Sequence, residues 1–118
     1  MRQNKKCKKE LSMYYSDSTK VPFASKISYM VRKKIYMLFA KVIKFSLNSK
    51  VLDVGVTSDD SFEESNFFEK FYPYPDKITC IGTEDGSYLA KKYKGLKFIK
   101  VSSGKPFPFK DKSFDIVF

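Results

Sequence analysis

The chain has 118 residues, a formal net charge of +10 and no histidine. A length of this size accommodates one domain, and hydrolytic catalysis by a Ser–His or Cys–His pair is excluded because no imidazole is present. The 12 phenylalanines and 8 tyrosines favour a globular protein, since disordered chains are poor in aromatic residues. The two cysteines, Cys7 and Cys80, predict neither a disulfide framework nor a zinc site, so we expect no metal.

The positive charge lies entirely in the N-terminal part of the chain. Residues 1–50 contain 13 lysines and arginines against 2 acids, whereas residues 51–118 contain 10 against 11. Such asymmetry is typical of contact with nucleic acid or with an anionic membrane surface, but a lysine-rich composition without a binding role explains it equally. We interpret residues 1–24 as a basic flexible arm because they are polar and aperiodic.

Residues 25–47 are predicted to form an amphipathic helix, entered after Pro22 with Ser25 as a possible cap. Its apolar residues recur at spacings of three and four. We expect this stripe to pack on the sheet that follows, as in most small domains; the alternative is a helix lying on an anionic membrane surface. The stripe comprises Ile27, Met30, Val31, Ile35, Leu38, Phe39, Val42 and Ile43.

Residues 48–118 alternate between predicted strands and helices, which indicates an α/β fold. Apolar runs, prolines and glycines delimit the elements. This alternation predicts a Rossmann-like open parallel sheet with flanking helices. Because the chain ends within its fourth predicted strand, we expect a fold truncated there. The predicted strands lie within 48–55, 77–82, 97–101 and 114–118, and the predicted helices within 61–71 and 86–94.

Polar residues follow the first two predicted strands, where an open parallel sheet binds its ligands. Gly55 allows a tight turn and close approach to a ligand, and Asp53 can accept hydrogen bonds. Glu84, with Asp85 behind it, occupies the position that binds ribose hydroxyls in dinucleotide-type folds. The alternative for Asp53 and Asp85 is that each caps a turn or a helix.

Three stretches resemble a known family. VLDVGVTSD, ITCIGTED and PFPFKDKSFDIVF look like the first, second and fourth motifs of class I S-adenosylmethionine-dependent methyltransferases, in particular the type 11-like group. The resemblance covers residues 50–118, roughly the first half of such a domain. It implies that residues 48–118 are the N-terminal half of a methyltransferase-like domain.

The resemblance also implies a cofactor, S-adenosyl-L-methionine, and residues that would bind it. The first-motif turn would contribute five of these residues, the tip of the second strand would bind the ribose hydroxyls, and Ser103 would lie near the adenine amino group. Asp115 would lie in the fourth strand, nearer the transferred methyl group. Thr57 and Asp59 stand where the family usually has glycine. The implied cofactor-binding residues are Asp53, Val54, Gly55, Val56, Thr57, Glu84, Asp85 and Ser103.

The predicted function is therefore methyl transfer from S-adenosylmethionine to an unidentified small-molecule or glycan-type acceptor, incomplete in a truncated chain. Such a reaction relies on positioning and electrostatics and needs no histidine. The alternative is a basic RNA- or anionic-membrane-binding module, which ranks below methyl transfer because the usual aromatic RNA-binding motif is absent. A dinucleotide-dependent dehydrogenase is disfavoured by the missing Gly-x-Gly-x-x-Gly. Without a signal peptide or a long apolar run, we expect a cytoplasmic protein.

Overall fold

The computed structural model describes residues 21–118 and contains one parallel four-stranded sheet with flanking helices, which confirms the α/β prediction. The strand order is β3-β2-β1-β4, so β1 and β2 are central. Most of the predicted arm, residues 1–20, lies outside the described residues. The strands are β1 (Val51–Val54), β2 (Ile78–Gly82), β3 (Lys97–Lys100) and β4 (Ile116–Val117).

Each strand lies within its predicted range, and the two central strands bury most of their apolar residues. Val51 is aligned with Ile78 of β2 on one side and with Ile116 of β4 on the other. Backbone bonds extend the last pairing, since the Phe118 amide donates to the Leu52 carbonyl at 2.9 Å. Burial on both sides of β1 explains why its sequence is an apolar run rather than an alternating pattern.

The first helix, α1, spans Val21–Val42, so it begins and ends before the predicted boundaries. Its start is compatible with Pro22, because a proline in the first helical turn lacks only an amide that would be unpaired anyway. Residues 21–24, predicted as part of the arm, belong to this helix. Among the described residues, none of the helices combines the length and apolarity that crossing a bilayer would require.

The second helix, α2, spans only Phe67–Phe71, whereas the sequence predicted a helix from Ser61. Asn66 adopts a left-handed conformation with φ 46°, which interrupts a right-handed helix. Before it, the Asp59 carboxylate accepts hydrogen bonds from the Ser61 and Ser65 side chains and closes a turn instead. The third helix, α3, spans Tyr88–Lys92 and is also shorter than predicted.

An aromatic core joins α1, α2 and the end of β4. Phe68 of α2 is 1% exposed, and its ring stacks on Phe118 with centroids 4.4 Å apart. Tyr36 of α1 lies edge-on to Phe68, and its hydroxyl donates to the Phe71 carbonyl at 3.0 Å. Such ring pairs add to the stability that burial alone provides, so they determine which face of α1 packs inward.

The orientation of α1 corrects the prediction that its apolar stripe packs on the sheet. The inward face instead carries the buried Tyr36 and the partly buried Phe39 and Ala40. Arg32 holds the same face in place by donating to the Glu64 carbonyl at 2.8 Å. Phe39 is thus the stripe residue that packs inward, and Ile43 lies just beyond the end of the helix. The exposed members are Ile27, Met30, Val31, Ile35, Leu38 and Val42.

Candidate functional site

A cavity of about 530 Å³ opens at the carboxyl ends of β1 and β2. This is the edge where ligands bind in open parallel sheets, and the volume is within the range of small-molecule sites. The turn after β1 forms one wall, and α1, α2 and the chain after β4 contribute the rest. The cavity is lined by Arg32, Asp53, Val54, Gly55, Val56, Thr57, Asp59, Phe62, Ser65, Asn66, Phe67, Phe68, Glu84 and Phe118.

Two glycines give the turn after β1 its shape. Gly55 has φ +94°, a conformation that disfavours residues with a side chain. Its amide and that of Val56 both donate to the Ile81 carbonyl, at 2.9 and 3.2 Å, so the turn lies directly on β2. A Cβ on Gly82 would lie 2.2 Å from the Val56 carbonyl oxygen. The close approach of the two strand ends therefore depends on glycine at position 82.

The loop beyond this turn is held by hydrogen bonds that the side chains of Asn66 and Asp59 form. The Thr57 amide donates to Asn66 Oδ1 at 3.0 Å, and Asn66 Nδ2 donates to the Thr57 carbonyl at 2.9 Å. Burial acts to raise the pKa of Asp59, but hydrogen bonds from Ser61 and Ser65 lower it. The Asp59 carboxylate thus stays ionised and fixes the loop on its own side of the cavity.

Glu84 lies on the rim of the cavity, two residues beyond β2. Its Oε2 accepts hydrogen bonds from the Ser58 amide at 2.9 Å and the Ser58 hydroxyl at 2.8 Å. These two bonds lower the pKa of the Glu84 carboxyl, so it is an exposed carboxylate. Because both bonds end on Oε2, its second oxygen, Oε1, can accept a hydrogen bond from a ligand hydroxyl.

Asp85 has a different role from its neighbour. Its Oδ1 accepts a hydrogen bond from the Ser87 amide at 3.0 Å, just before α3, and the side chain and amide of Ser87 together lower the pKa of the carboxyl. Asp85 does not line the cavity and is exposed. This contact matches the alternative in which Asp85 caps a turn.

Asp53 reaches the inner wall of the cavity but is only 6% exposed. Burial, together with the neighbouring Glu69 carboxyl, raises the pKa of the Asp53 carboxyl to about 9. A carboxyl with this pKa keeps its proton at pH 7, so Asp53 is neutral there rather than negatively charged.

A thiol completes this buried cluster of Asp53, Glu69 and Cys80. The Cys80 thiol donates to Glu69 Oε1 at 3.1 Å, and burial together with the Glu69 carboxyl raises the thiol pKa. One potential ligand atom from each residue lies within 4.8 Å of the others, close enough to surround a metal ion. The raised pKa values of Asp53 and Cys80 mean that both groups hold their protons at pH 7. A metal ion would have to displace these protons, so the cluster suits protonated side chains better than a cation.

Arg32 is the one basic residue among the described residues that line the larger cavity. Its guanidinium carbon lies 5.6 Å from the centroid of the Phe67 ring, and its Nη1 is bound to the Glu64 carbonyl. These two contacts fix the planar group at the cavity wall. A ligand with a carboxylate could pair with it, because a guanidinium recognises carboxylates with several donors.

A second, smaller cavity of about 190 Å³ adjoins the first, and the turn residues from Val54 to Thr57 line both. Val101 and Phe107 give it apolar walls, and Glu84 lies between the two cavities. Ser103, the residue implied to lie near adenine, lines neither cavity and is exposed in the turn after β3.

The location of Asp115 corrects the expectation drawn from the resemblance. It precedes β4 at the amino end of the sheet, and its Oδ2 accepts a hydrogen bond from the Lys50 amide at 2.8 Å. Parallel strands direct their amino ends to the edge opposite the cavity. Asp115 therefore aligns β4 with β1 rather than facing a ligand.

Sequence reasoning missed Arg32, Asn66 and Phe118 as cavity residues. Arg32 is separated from the first strand by some twenty residues and carried only the general signal of a basic helix. Asn66 was predicted to lie inside a helix, and no sequence pattern indicated its two hydrogen bonds with Thr57. All three residues are placed by tertiary packing.

Among the described residues, the structure thus brings together Asp53, Val54, Gly55, Val56, Thr57 and Glu84 and leaves Asp85 and Ser103 outside the cavities. Comparison of the chain with family models, with curated proteins and with solved structures found no match.

Proposed function

We propose that this chain has a Rossmann-like sheet, binds S-adenosyl-L-methionine in the two adjoining cavities, and serves methyl transfer. The observation that carries the proposal is the placement of Glu84. Its carboxylate lies at the tip of β2, next to the glycine turn after β1 and between cavities of about 530 and 190 Å³. This is the arrangement by which open parallel sheets recognise a ribose.

The lining of the two cavities fits the chemical parts of the cofactor. Glu84 Oε1 would accept from the ribose hydroxyls, and the guanidinium of Arg32 would pair with the carboxylate of the methionine part. Val101 and Phe107 offer apolar walls for the adenine ring, without a contribution from Ser103. The positive φ of Gly55 and the absence of atoms within 4 Å of its hypothetical Cβ leave that stretch of backbone open to a ligand.

The bound cofactor would supply an electrophilic methyl group on a sulfonium; a nucleophile of the acceptor would attack the methyl carbon, and the sulfur would leave as a neutral thioether. The residues of this chain would bind and orient the cofactor. Such positioning is a major source of rate enhancement and requires no general base of the histidine type. Asp53 is neutral at pH 7 and so adds no negative charge to the inner wall of the cavity. A small-molecule or glycan-type acceptor and a cytoplasmic location complete the proposal.

Calorimetric titration of the full chain with S-adenosylmethionine tests the proposal. We expect saturable binding with a submillimolar dissociation constant, and about tenfold weaker binding for Glu84→Gln, because a charge-assisted hydrogen bond becomes neutral. The matched control is Glu63→Gln, the same change at an exposed glutamate that lines neither cavity. We expect this control to bind as the original chain does.

Two results would contradict the proposal. A folded chain that shows no heat of binding at millimolar S-adenosylmethionine would exclude the cofactor site. Binding of NAD in preference to S-adenosylmethionine would indicate a dinucleotide-dependent enzyme instead, because an acidic residue at the tip of the second strand serves both ligands.

A further inference from the structure

Helix α1 exposes a cluster of apolar side chains on the side opposite its packed face. We define this outer face by Phe23, Ile27, Met30, Val31, Leu38 and Val42, which are 47–74% exposed. Their spacing of three, four and seven residues places them on one side of an α-helix. Tyr36, which anchors the helix in the core, lies on the other side. Isolated apolar residues are common on protein surfaces, but a contiguous set is typical of an interaction site.

The same surface of α1 is basic. Lys34 and Lys41 recur at the helical spacing of the outer face, and Lys26 and Lys33 lie along one edge of it; all four are exposed. The helix from Val21 to Val42 contains no acidic residue. A surface that combines exposed apolar side chains with lysines differs from an ordinary solvated face, in which acids balance the lysines.

We propose that the outer face of α1 docks on an anionic lipid membrane, with the helix parallel to the membrane plane. Its apolar side chains would enter the boundary between head groups and acyl chains, and its lysines would contact lipid phosphates. Long lysine side chains can keep their charge at the head-group level while their methylenes lie against apolar surface.

Charge favours a membrane over the other occupants of this face. A second copy of the chain would bring two sets of lysines together without acids to offset them. The N-terminal residues 1–20 contain 6 lysines and arginines against 2 acids, so they would also be repelled. RNA would bind the lysines but would leave apolar side chains such as Leu38 in water, whereas a lipid surface satisfies both.

Membrane docking is independent of the proposed cofactor site, because the two use opposite faces of α1. Arg32 faces the cavity and is held by the Glu64 carbonyl and the Phe67 ring. A change on the outer face therefore tests docking without altering the cavity wall. Conversely, a failure of cofactor binding would leave the membrane proposal intact.

Sedimentation of the full chain with vesicles tests the proposal. We expect it to bind vesicles of phosphatidylglycerol and phosphatidylcholine, and to bind vesicles of phosphatidylcholine alone at least tenfold more weakly. Leu38→Glu should weaken binding to the anionic vesicles more than tenfold, because an apolar contact is lost and a negative charge is introduced. The matched control is Leu47→Glu, since Leu47 is 59% exposed compared with 63% for Leu38 and lies beyond the helix. We expect this control to reduce binding much less.

Charge variants measure the electrostatic part of the interaction. Lys34→Gln and Lys41→Gln should each weaken binding to anionic vesicles about fivefold, and binding should fall as the salt concentration rises. Both side chains are exposed, so the variants should retain the circular dichroism spectrum of the original chain.

Several outcomes would overturn the proposal. These are a folded chain that remains in the supernatant with anionic vesicles, equal binding to neutral vesicles, and equal losses for Leu38→Glu and Leu47→Glu. Light scattering without lipid that shows a dimer, dissociated by Leu38→Glu, would identify a second copy as the occupant. Retention of RNA on a filter at low salt, with no vesicle binding, would indicate a nucleic-acid surface instead.

Discussion

Asp53 and Glu84 are carboxyls near the ends of neighbouring strands, but their environments shift their pKa values in opposite directions. Burial and the neighbouring Glu69 raise the pKa of Asp53 to about 9. Hydrogen bonds from Ser58 lower the pKa of Glu84, which remains exposed. Position in the fold therefore does not determine the charge of a carboxyl, whereas its solvation and its hydrogen-bond donors do.

This contrast separates an inner region beneath the cavity from its rim. The inner region contains Asp53, Glu69, Cys80 and Phe68, which are all buried. The rim contains Glu84 and Phe107, which are exposed. We expect changes in the inner region to affect mainly the free energy of unfolding, and changes on the rim to affect mainly ligand binding.

The largest expected effect is that of Phe68→Ala. Removing a ring that is 1% exposed and stacked on Phe118 should lower the free energy of unfolding by about 3–5 kcal/mol, because it leaves a cavity in the core. The matched rim variant Phe107→Ala, at a residue 49% exposed, should change it by about 0.5 kcal/mol or less. Urea unfolding monitored by circular dichroism measures both. Similar losses for the two variants would contradict the division into two regions.

A smaller effect is expected for Gly82→Ala, at the junction of the two regions. The added Cβ would lie 2.2 Å from the Val56 carbonyl oxygen, so the ends of β1 and β2 must separate, at a cost of about 1–3 kcal/mol. Gly104→Ala is the comparison, since no atom lies within 4 Å of a Cβ built at Gly104. This variant should lower the free energy of unfolding by about 1 kcal/mol, because alanine disfavours the φ of +76°. Urea midpoints should rank Gly82→Ala as the less stable variant. The reverse ranking would show that the turn after β1 does not require this close approach.

Asp53→Asn tests whether the inner carboxyl is protonated. Folding raises the Asp53 pKa from 3.8 to about 9, so the stability associated with its proton is complete below pH 3.8 and declines as the pH rises towards 9. Asparagine does not titrate, so the variant should show a flatter decline over this window, with a change of about 1 kcal/mol or less at pH 7. Thermal or urea unfolding at several pH values measures the slope. The control Asp85→Asn should leave the slope of the unfolding free energy against pH unchanged. If Asp53→Asn also left this slope unchanged, Asp53 would not be the protonated inner carboxyl.

The smallest expected effect on stability is that of Glu84→Gln. The Glu84 pKa is lowered on folding, so its contribution is present above pH 4.5 and declines as the pH falls through its folded value. Because the group is exposed, the change at pH 7 should be about 0.5 kcal/mol or less. Urea unfolding at pH 7 measures this change. A loss comparable to that of Phe68→Ala would mean that Glu84 is a structural residue rather than part of a binding rim.

The strands were predictable because each is a short apolar run between turn residues. Val51–Val54 and Ile78–Gly82 fall inside the predicted ranges, and the alternation of elements was sufficient to predict a parallel sheet. The helix predicted from Ser61 was less successful. Its composition favours a helix, but the left-handed Asn66 and the Asp59 turn depend on contacts with Thr57 and with the following loop.

Part of the candidate site was also predictable. The location of Gly55 and Glu84 at the cavity was predictable from their positions after β1 and β2, because the ends of adjacent parallel strands meet at one edge of the sheet. Arg32 and Phe118 reach the same cavity from elements that no local pattern connects to it. Ser103 and Asp115 were implied by the resemblance alone, and both lie away from the cavities.

The sequence by itself determined the strands, their parallel arrangement and the glycine turn, since these depend on the local apolar pattern and on backbone freedom. Tertiary structure decided which face of α1 is buried, because both faces are apolar and only one offers Tyr36 and Phe39 to the rings of α2. It also decided the charge of Asp53, since that depends on Glu69 and on the exclusion of water, which the linear sequence does not specify.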